Sequence, residues 1–337
     1  MTRRSLVILF ALLCLAAWLL AMFSLAKHER SIQLRIFHAG SLSLALSEIE
    51  SVYESLKPSV EVLREPSGSV RAVRKISDLG KNCDIVMVAD YRVIDEYLVP
   101  DYADWSIAFC TNEVVLCYTE GSAYADEVGE DNWYEILMRP GIKYGFSNPN
   151  LDPCGYRALS ILYMASVYYG DNDVWEKLVL EYITNIRVVV NESGHFLFFP
   201  AVLEYVAGGK LVLRDKSVDL IQLLEAGVLD YAFEYKSVAE ERGVRYVRLP
   251  PQLNLASDPF LKTWVILYAG DPERQRRVRI SEIRYGLTVP KCCNNCEEAV
   301  EFLKWFLYGD GMRILEEHGF TPIPLEYRGA VPSELRG

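Results

Sequence analysis

The sequence predicts an α/β protein of two lobes hinged about a cleft, and three observations carry that prediction. Strand-like and helix-like stretches alternate along the chain, which implies a parallel sheet with right-handed crossovers. The chain leaves one α/β set, builds a second, and returns to the first near its end. Its 337 residues are enough for two lobes of about 120–150 residues, each with a core of its own.

Composition narrows the function. With 51% apolar and 24% charged residues the chain is ordinary globular material. A formal net charge of −11, with no basic tract to offset it, excludes a nucleic-acid partner. The same acidity sets a condition: an anionic ligand must be held by local fields, because the overall charge repels it.

In chain order, Arg3 and Arg4 precede a nearly unbroken apolar run over residues 6–26, and Lys27-His28-Glu29-Arg30 follows. About twenty apolar residues can span a bilayer, and the positive start keeps the N-terminus inside. Ser24 and Ala26 are small enough for signal-peptidase cleavage. Residues 1–30 therefore read as a signal peptide or an uncleaved membrane anchor, the length favouring the anchor, with everything after them exported. Cys14 lacks the small preceding residue of a lipid-modified cysteine. Seven cysteines remain, and Cys292-Cys293-Asn294-Asn295-Cys296 reads as a disulfide or structural cluster, because no second Cys-x-x-Cys or His pair completes a zinc site.

Residues 32–37 alternate as a strand, 44–56 carry helical spacing, 60–63 form a second strand, and a helix starts at Val70. The run 84–88 reads as a strand buried on both faces. Residues 113–118 form another strand, and the polar stretch 120–132 reads as the first crossing between lobes. The second set contains a strand at 143–146, helices at 155–169 and 175–183, and a strand at 229–233. Residues 284–290 form the return strand, with terminal helices at 297–307 and 311–318. The expected boundaries are 31–118 plus 284–337 for one lobe and 119–283 for the other.

Three turns share one property. Gly40-Ser41, Ser67-Gly68-Ser69 and Asp152-Pro153-Cys154-Gly155 each place glycine, serine or aspartate at a strand end immediately before a helix. Helix N-termini carry unpaired N–H groups and about half a positive charge, so they attract anions. A single such turn is ordinarily a helix cap. Three at the carboxyl ends of parallel strands, where open α/β sheets bind ligands, point to an anion site built from uncharged donors.

Several stretches sharpen this. Phe37-His38-Ala39-Gly40-Ser41-Leu42, Gly68-Ser69-Val70-Arg71-Ala72-Val73-Arg74-Lys75, Asp84 through Tyr91, Ser147 through Arg157, Asp230 through Ala239, and the terminal Phe302-Leu303, Gly311 through Leu315 and His318-Gly319-Phe320 resemble type II periplasmic solute-binding proteins for molybdate and tungstate, in particular the archaeal branch. The resemblance spans residues 35 to about 323. It implies a type II two-lobed fold with an interlobe cleft. It also implies capture of tungstate or molybdate outside the membrane and delivery to the permease and ATPase of an ABC transporter, with no cofactor. Gly40, Ser41 and Ser69 would contact the oxyanion from one lobe, and Asp152, the backbone at Pro153 and Cys154, and Tyr235 from the other. A carboxylate at Asp152 would approach the tungsten or molybdenum itself, together with a glutamate further on. That glutamate is missing here: Arg214-Asp215-Lys216-Ser217 puts Ser217 in its slot, and Asp219 and Glu234 fall out of register with the pattern. Ser217 can still donate a hydrogen bond to an oxyanion.

Other readings are weaker. Ser217 leaves room for a sulfate or phosphate receptor. An enzyme would need a base near Cys154, and the sequence places none there. His195 reads as a satisfied core or loop histidine and His38 as packing beneath the cleft. A signalling ectodomain held by residues 1–30 remains the third class. The protein is therefore expected not to be an enzyme.

Overall fold

The computed structural model describes residues 32–206, 208–268 and 275–337, so the N-terminal segment lies outside the described residues.

Along the chain, β1 (Ile32–Ala39), β2 (Val60–Ser67), β3 (Ile85–Val88) and β4 (Trp105–Thr111) belong to one sheet. Helices α1 (Ser43–Leu56), α2 (Ser69–Ser77) and α3 (Tyr91–Tyr97) connect them. β1 pairs in parallel with both β2 and β3. All four residues of β3 are buried, as a run without alternation requires. α1 turns Ala45, Leu46, Ile49 and Tyr53 inward, one stripe at helical spacing.

β5 (Val114–Tyr118) then enters a second sheet. It is expected at the end of the first lobe, but it pairs antiparallel with two strands of the second. The chain has therefore changed sheets by residues 112–113. That sheet is completed by β6 (Tyr144–Ser147), β9 (Leu211–Arg214), β10 (Tyr231–Tyr235) and β11 (Arg245–Arg248), in the order β11-β5-β10-β6-β9. Between them lie α4 (Trp133–Met138), α5 (Pro153–Tyr169), α6 (Val218–Glu225) and α7 (Lys236–Arg242). β9, β6 and β10 run parallel, so their carboxyl ends open on one side.

Alternation of strand and helix does not hold throughout. β7 (Arg187–Asn191) and β8 (Gly194–Phe199) form a hairpin that joins β12 (Thr263–Leu267) and β13 (Arg276–Arg279) in a third sheet. The helix expected at 175–183 is a single turn at Asp173–Trp175 followed by a wider π-turn at Glu176–Leu180. β14 (Tyr285–Thr288) returns to the first sheet antiparallel to β3 and β4, and α8 (Cys296–Tyr308) and α9 (Asp310–Glu317) follow. β15 (Thr321–Gly329) closes the edge, giving the order β15-β4-β14-β3-β1-β2. Cys293 and Cys296 are disulfide-bonded, as the cluster suggested.

α5 is the axis of the second lobe. Pro153 starts it, Asp152 caps it, and Gly170 in the left-handed region (φ 67°) ends it. Every residue from Pro153 to Ser166 is buried, so the N-terminal four-fifths of the helix is covered on all sides.

Candidate functional site

Parallel strands deliver five segments to the seam between the lobes. β1 runs into the single turn Gly40–Leu42, and β2 ends at Ser67 with Gly68 and Ser69 opening α2. β6 ends at Ser147 ahead of the Asp152 cap, β9 leads to Ser217 at the start of α6, and β10 ends at Tyr235. The two lobes abut. A Cβ on Gly68 would stand 2.4 Å from the Leu151 carbonyl oxygen and 3.4 Å from the Asp152 Cβ. One on Gly40 would lie 3.0 Å from Val218 and 3.9 Å from Lys216. At Gly68 the glycine permits an approach of backbone to backbone, and at Gly40 it leaves room for the Val218 and Lys216 side chains. Ser41, Ser69, Asp152, Pro153, Cys154, Ser217 and Tyr235 are all buried; Gly40 is partly so.

The first lobe presents donors. Ser69 Oγ accepts the Ala89 amide at 3.0 Å, which leaves its own proton for another acceptor. Ser41 Oγ pairs with the Tyr285 hydroxyl at 2.9 Å. The Ser67 hydroxyl is buried with no partner among the described residues.

The second lobe presents acids. The Asp152 carboxylate accepts from the Cys154 amide at 3.3 Å and the Ser217 amide at 2.9 Å. It thereby occupies the α5 N-terminus that sequence reasoning offered to the ligand, and Pro153 has no N–H to offer. Burial pushes the Asp152 carboxyl up, and the Ser217 and Cys154 amides oppose the rise. The Ser147 hydroxyl stands beside this carboxyl and opposes the rise as well, without closing a hydrogen bond of good geometry.

Glu234, which the sequence register sets aside, belongs to this group. It is fully buried at the end of β10. Its Oε2 accepts the Tyr235 amide at 2.6 Å and lies 3.7 Å from Cys154 Sγ, while Oε1 has no partner among the described residues. Burial pushes its carboxyl up to about 8, with the charge of Asp152 adding to the rise; the Tyr235 amide and Ser217 hydroxyl oppose it. Neither Asp152 nor Glu234 forms a salt bridge among the described residues. The position that sequence matching leaves to Ser217 thus has a carboxyl group close by in space, supplied from β10.

Tyr235 links the site to a buried ionic cluster. Its hydroxyl accepts from Arg157 Nη1 at 2.7 Å, so the phenolic proton remains available. Arg157, on α5, reaches across the seam to the Ala89 carbonyl at 2.9 Å and to Asp90 at 3.2 Å. Asp90 also binds Arg92 at 2.6 and 2.8 Å and the Tyr156 hydroxyl at 2.6 Å. These two arginines outweigh its burial and hold the Asp90 carboxyl far below the usual carboxylate range.

His38 is buried, with Nδ1 2.8 Å from the Ala39 carbonyl oxygen; desolvation lowers it to about 4, so it is neutral packing beneath the turn. His195 pairs with the Tyr163 hydroxyl at 2.7 Å, away from the seam. Burial, reinforced by Glu234 and Asp152, pushes the Cys154 thiol well above its ordinary value, the opposite of an activated nucleophile.

Fold and site together define a two-lobed receptor that encloses a small solute. The sequence matches the bacterial extracellular solute-binding protein family over residues 34–321, and the chain belongs to that family. A solute-binding protein of Staphylothermus marinus is 42% identical over 339 aligned positions, covering 98% of this chain and 95% of the relative. The molybdate/tungstate-binding protein WtpA of Pyrococcus abyssi is 41% identical over 322 positions, covering 92% and 90%. Among solved structures, the periplasmic molybdate-binding protein of Azotobacter vinelandii superposes with a TM-score of 0.57 at 13% identity, over 86% of this chain and 99% of that one. The sulfate-binding protein SubI of Mycobacterium tuberculosis gives 0.57 at 15%, over 90% and 89%. At such identities these two show the fold, the two-lobed periplasmic binding architecture. Solute-binding proteins of ABC transporters work with a permease and its ATPase, and family membership puts the capture step outside the cytoplasm.

Proposed function

We propose that this chain captures tungstate or molybdate, closes its lobes over the ion, and delivers it to an ABC permease. The observation that carries the reading is the meeting, in one buried seam, of the Ser41, Ser67, Ser69 and Ser147 hydroxyls with the carboxyl groups of Asp152 and Glu234. The hydroxyls suit any tetrahedral oxyanion. The carboxyl groups are more selective: an ionised Asp152 beside a dianion is repelled unless it bonds to the central atom, whereas Glu234, which burial keeps protonated near neutral pH, can donate to the ion. Tungsten and molybdenum accept further oxygen ligands and sulfur in sulfate does not, so an ionised Asp152 disfavours a sulfate or phosphate receptor. The Pyrococcus relative, described as molybdate/tungstate-binding, supports the same cargo. Gly40, Ser41, Ser69 and Tyr235 act as donors in this reading, Asp152 approaches the metal centre of the cargo, and Ser217 positions Asp152 through its amide. Pro153 and Cys154 shape the wall.

The protein acts as a receptor and not as an enzyme, consistent with a Cys154 thiol held in its neutral form. Its lobes divide at 112–113, where the chain changes sheets, and near 284. Residues 1–30 direct export and stay as a membrane anchor, which mass spectrometry of the purified protein's N-terminus tests. The binding test is calorimetry. Ser41→Ala and Ser69→Ala should each weaken tungstate binding about 5- to 10-fold, one hydrogen bond's worth. If both bind as the parent does, the site is wrong; competition with sulfate tests the cargo.

A further inference from the structure

We propose that Arg157 supplies the positive charge for the captured dianion without touching it, through the Tyr235 hydroxyl, and that lobe closure is what seats this charge. The proposal rests on the oxyanion reading of the site.

The geometry assigns the role in three steps. The Arg157 side chain is 1% exposed, and Asp90 is its only salt-bridge partner among the described residues. Asp90 is shared with Arg92, so the buried cluster of two guanidinium groups and one carboxylate keeps one positive charge in excess. That excess lies one hydroxyl from the site, because Arg157 Nη1 donates to the Tyr235 oxygen at 2.7 Å. A phenol that accepts from a guanidinium is polarised, and its own O–H becomes a stronger donor to the next acceptor. The hydrogen-bond chain thus runs from charge to donor to ligand. An uncompensated buried charge is costly by itself, and a bound dianion offsets it.

Closure enters because the partners come from both lobes. Arg157 and Tyr235 belong to the second lobe, through α5 and β10. The Ala89 carbonyl and Asp90, which complete the guanidinium's contacts, follow β3 in the first. Tyr156, next to Arg157 on α5, adds a further bond to Asp90. When the lobes part, these contacts break together and the guanidinium is free to turn toward water. Ligand and closure therefore stabilise each other through one side chain. Arg157 is a positioning residue in this scheme, and Tyr235 is the group that meets the ligand. A protein of net charge −11 gains in this way a local positive field that exists in the closed state.

The test is a double-mutant cycle on the exported chain, with tungstate binding read by calorimetry and release by stopped flow. Arg157→Met should weaken binding at least about 30-fold, chiefly through faster release. Tyr235→Phe should cost about 5- to 10-fold. In the Tyr235→Phe background the Arg157→Met effect should shrink several-fold, because the path from charge to ligand is already cut. Independent contributions of the two side chains would let the losses multiply, and that result overturns the proposal, as does an Arg157→Met loss under about threefold. Asp90→Asn supplies a second reading if Arg157→Met does not fold. It should speed release with little change in association, and small-angle scattering of that variant should show incomplete compaction at saturating tungstate. Normal release and full compaction would overturn the proposal. If the unmodified chain binds neither tungstate nor molybdate, the functional reading itself fails; if it binds while the cycle is additive, only the role of Arg157 fails.

Discussion

Gly68→Ala isolates lobe closure from every other property of the protein. The backbone at Gly68 has φ −62° and ψ 144°, a conformation that alanine adopts without strain. The three nearest atoms to the added methyl group all belong to the opposing lobe: it would stand 2.4 Å from the Leu151 carbonyl oxygen and 3.1 Å from the Leu151 carbonyl carbon, and backbone atoms cannot swing aside as a flexible side chain would. Ordinary contact begins at 3.4 Å, so the seam must open by about 1 Å there. A displacement of that size stretches the Arg157–Ala89 bond from 2.9 Å beyond hydrogen-bonding range and weakens the Arg157–Asp90 pair behind it. Overpacking of this kind costs about 1–3 kcal/mol. Because the cost falls on the closed state alone, it appears as roughly 5- to 150-fold weaker tungstate binding, while unfolding of the unliganded protein shifts little. Calorimetry measures the affinity and differential scanning measures the stability. Binding within about twofold of the parent would refute the claim that the lobes close to this distance over the ligand.

Two further outcomes follow from the acids and thiols. Glu234 has its folded-state pKa raised to about 8 from an ordinary 4.5, so between those values the folded chain keeps a proton that the unfolded chain has released. Stability of the unliganded protein therefore falls as pH rises from about 4.5 to 8 and levels off above. Glu234→Gln should remove most of that slope in thermal melts, and parallel pH profiles for parent and variant would contradict it. Cys154 is fully buried and its thiol is pushed up, so alkylation in the native state should be slow near neutral pH. Once the thiol is labelled under opening conditions, any persistent oxyanion turnover would be incompatible with a receptor.

Much of the fold was legible because its signals are local. The unbroken apolar run before Ala89 could only be a doubly covered strand, and the Asp-Pro sequence before Cys154 marked the start of α5 to within two residues. The third sheet is not legible in this way, although Asn191-Glu192-Ser193-Gly194 is a turn between two strand-like runs. Its strands lie far apart in sequence, and local periodicity does not say which strands join. The site divides in the same way. Turn chemistry at Gly40-Ser41 and Gly68-Ser69 is written in consecutive residues. Matching counts residues along the chain and so sets Glu234 aside, whereas folding packs α6 against β10. The strand also runs 231–235 rather than 229–233, which brings Glu234 inside it. Arg157 and Asp90, 67 residues apart, carry no pattern that pairs them.

The distribution of charge about the seam explains how so acidic a chain can hold an anion and then let it go. Uncharged donors alone cannot do both, since a site that binds tightly in the open state would release slowly. Here the carboxyl groups of Asp152 and Glu234 sit in the second lobe, and the hydroxyls of Ser41, Ser67 and Ser69 sit in the first. Either lobe alone offers an anion part of the set: the first has the three serine hydroxyls, the second Tyr235 and Ser147 beside the acids. The favourable set, with Arg157 seated behind Tyr235, forms only when Asp90 and Ala89 arrive from the opposite side. Affinity is then a property of the closed state, and a permease that pulls the lobes apart removes the seated charge and the first-lobe donors together, leaving the ion beside two acids.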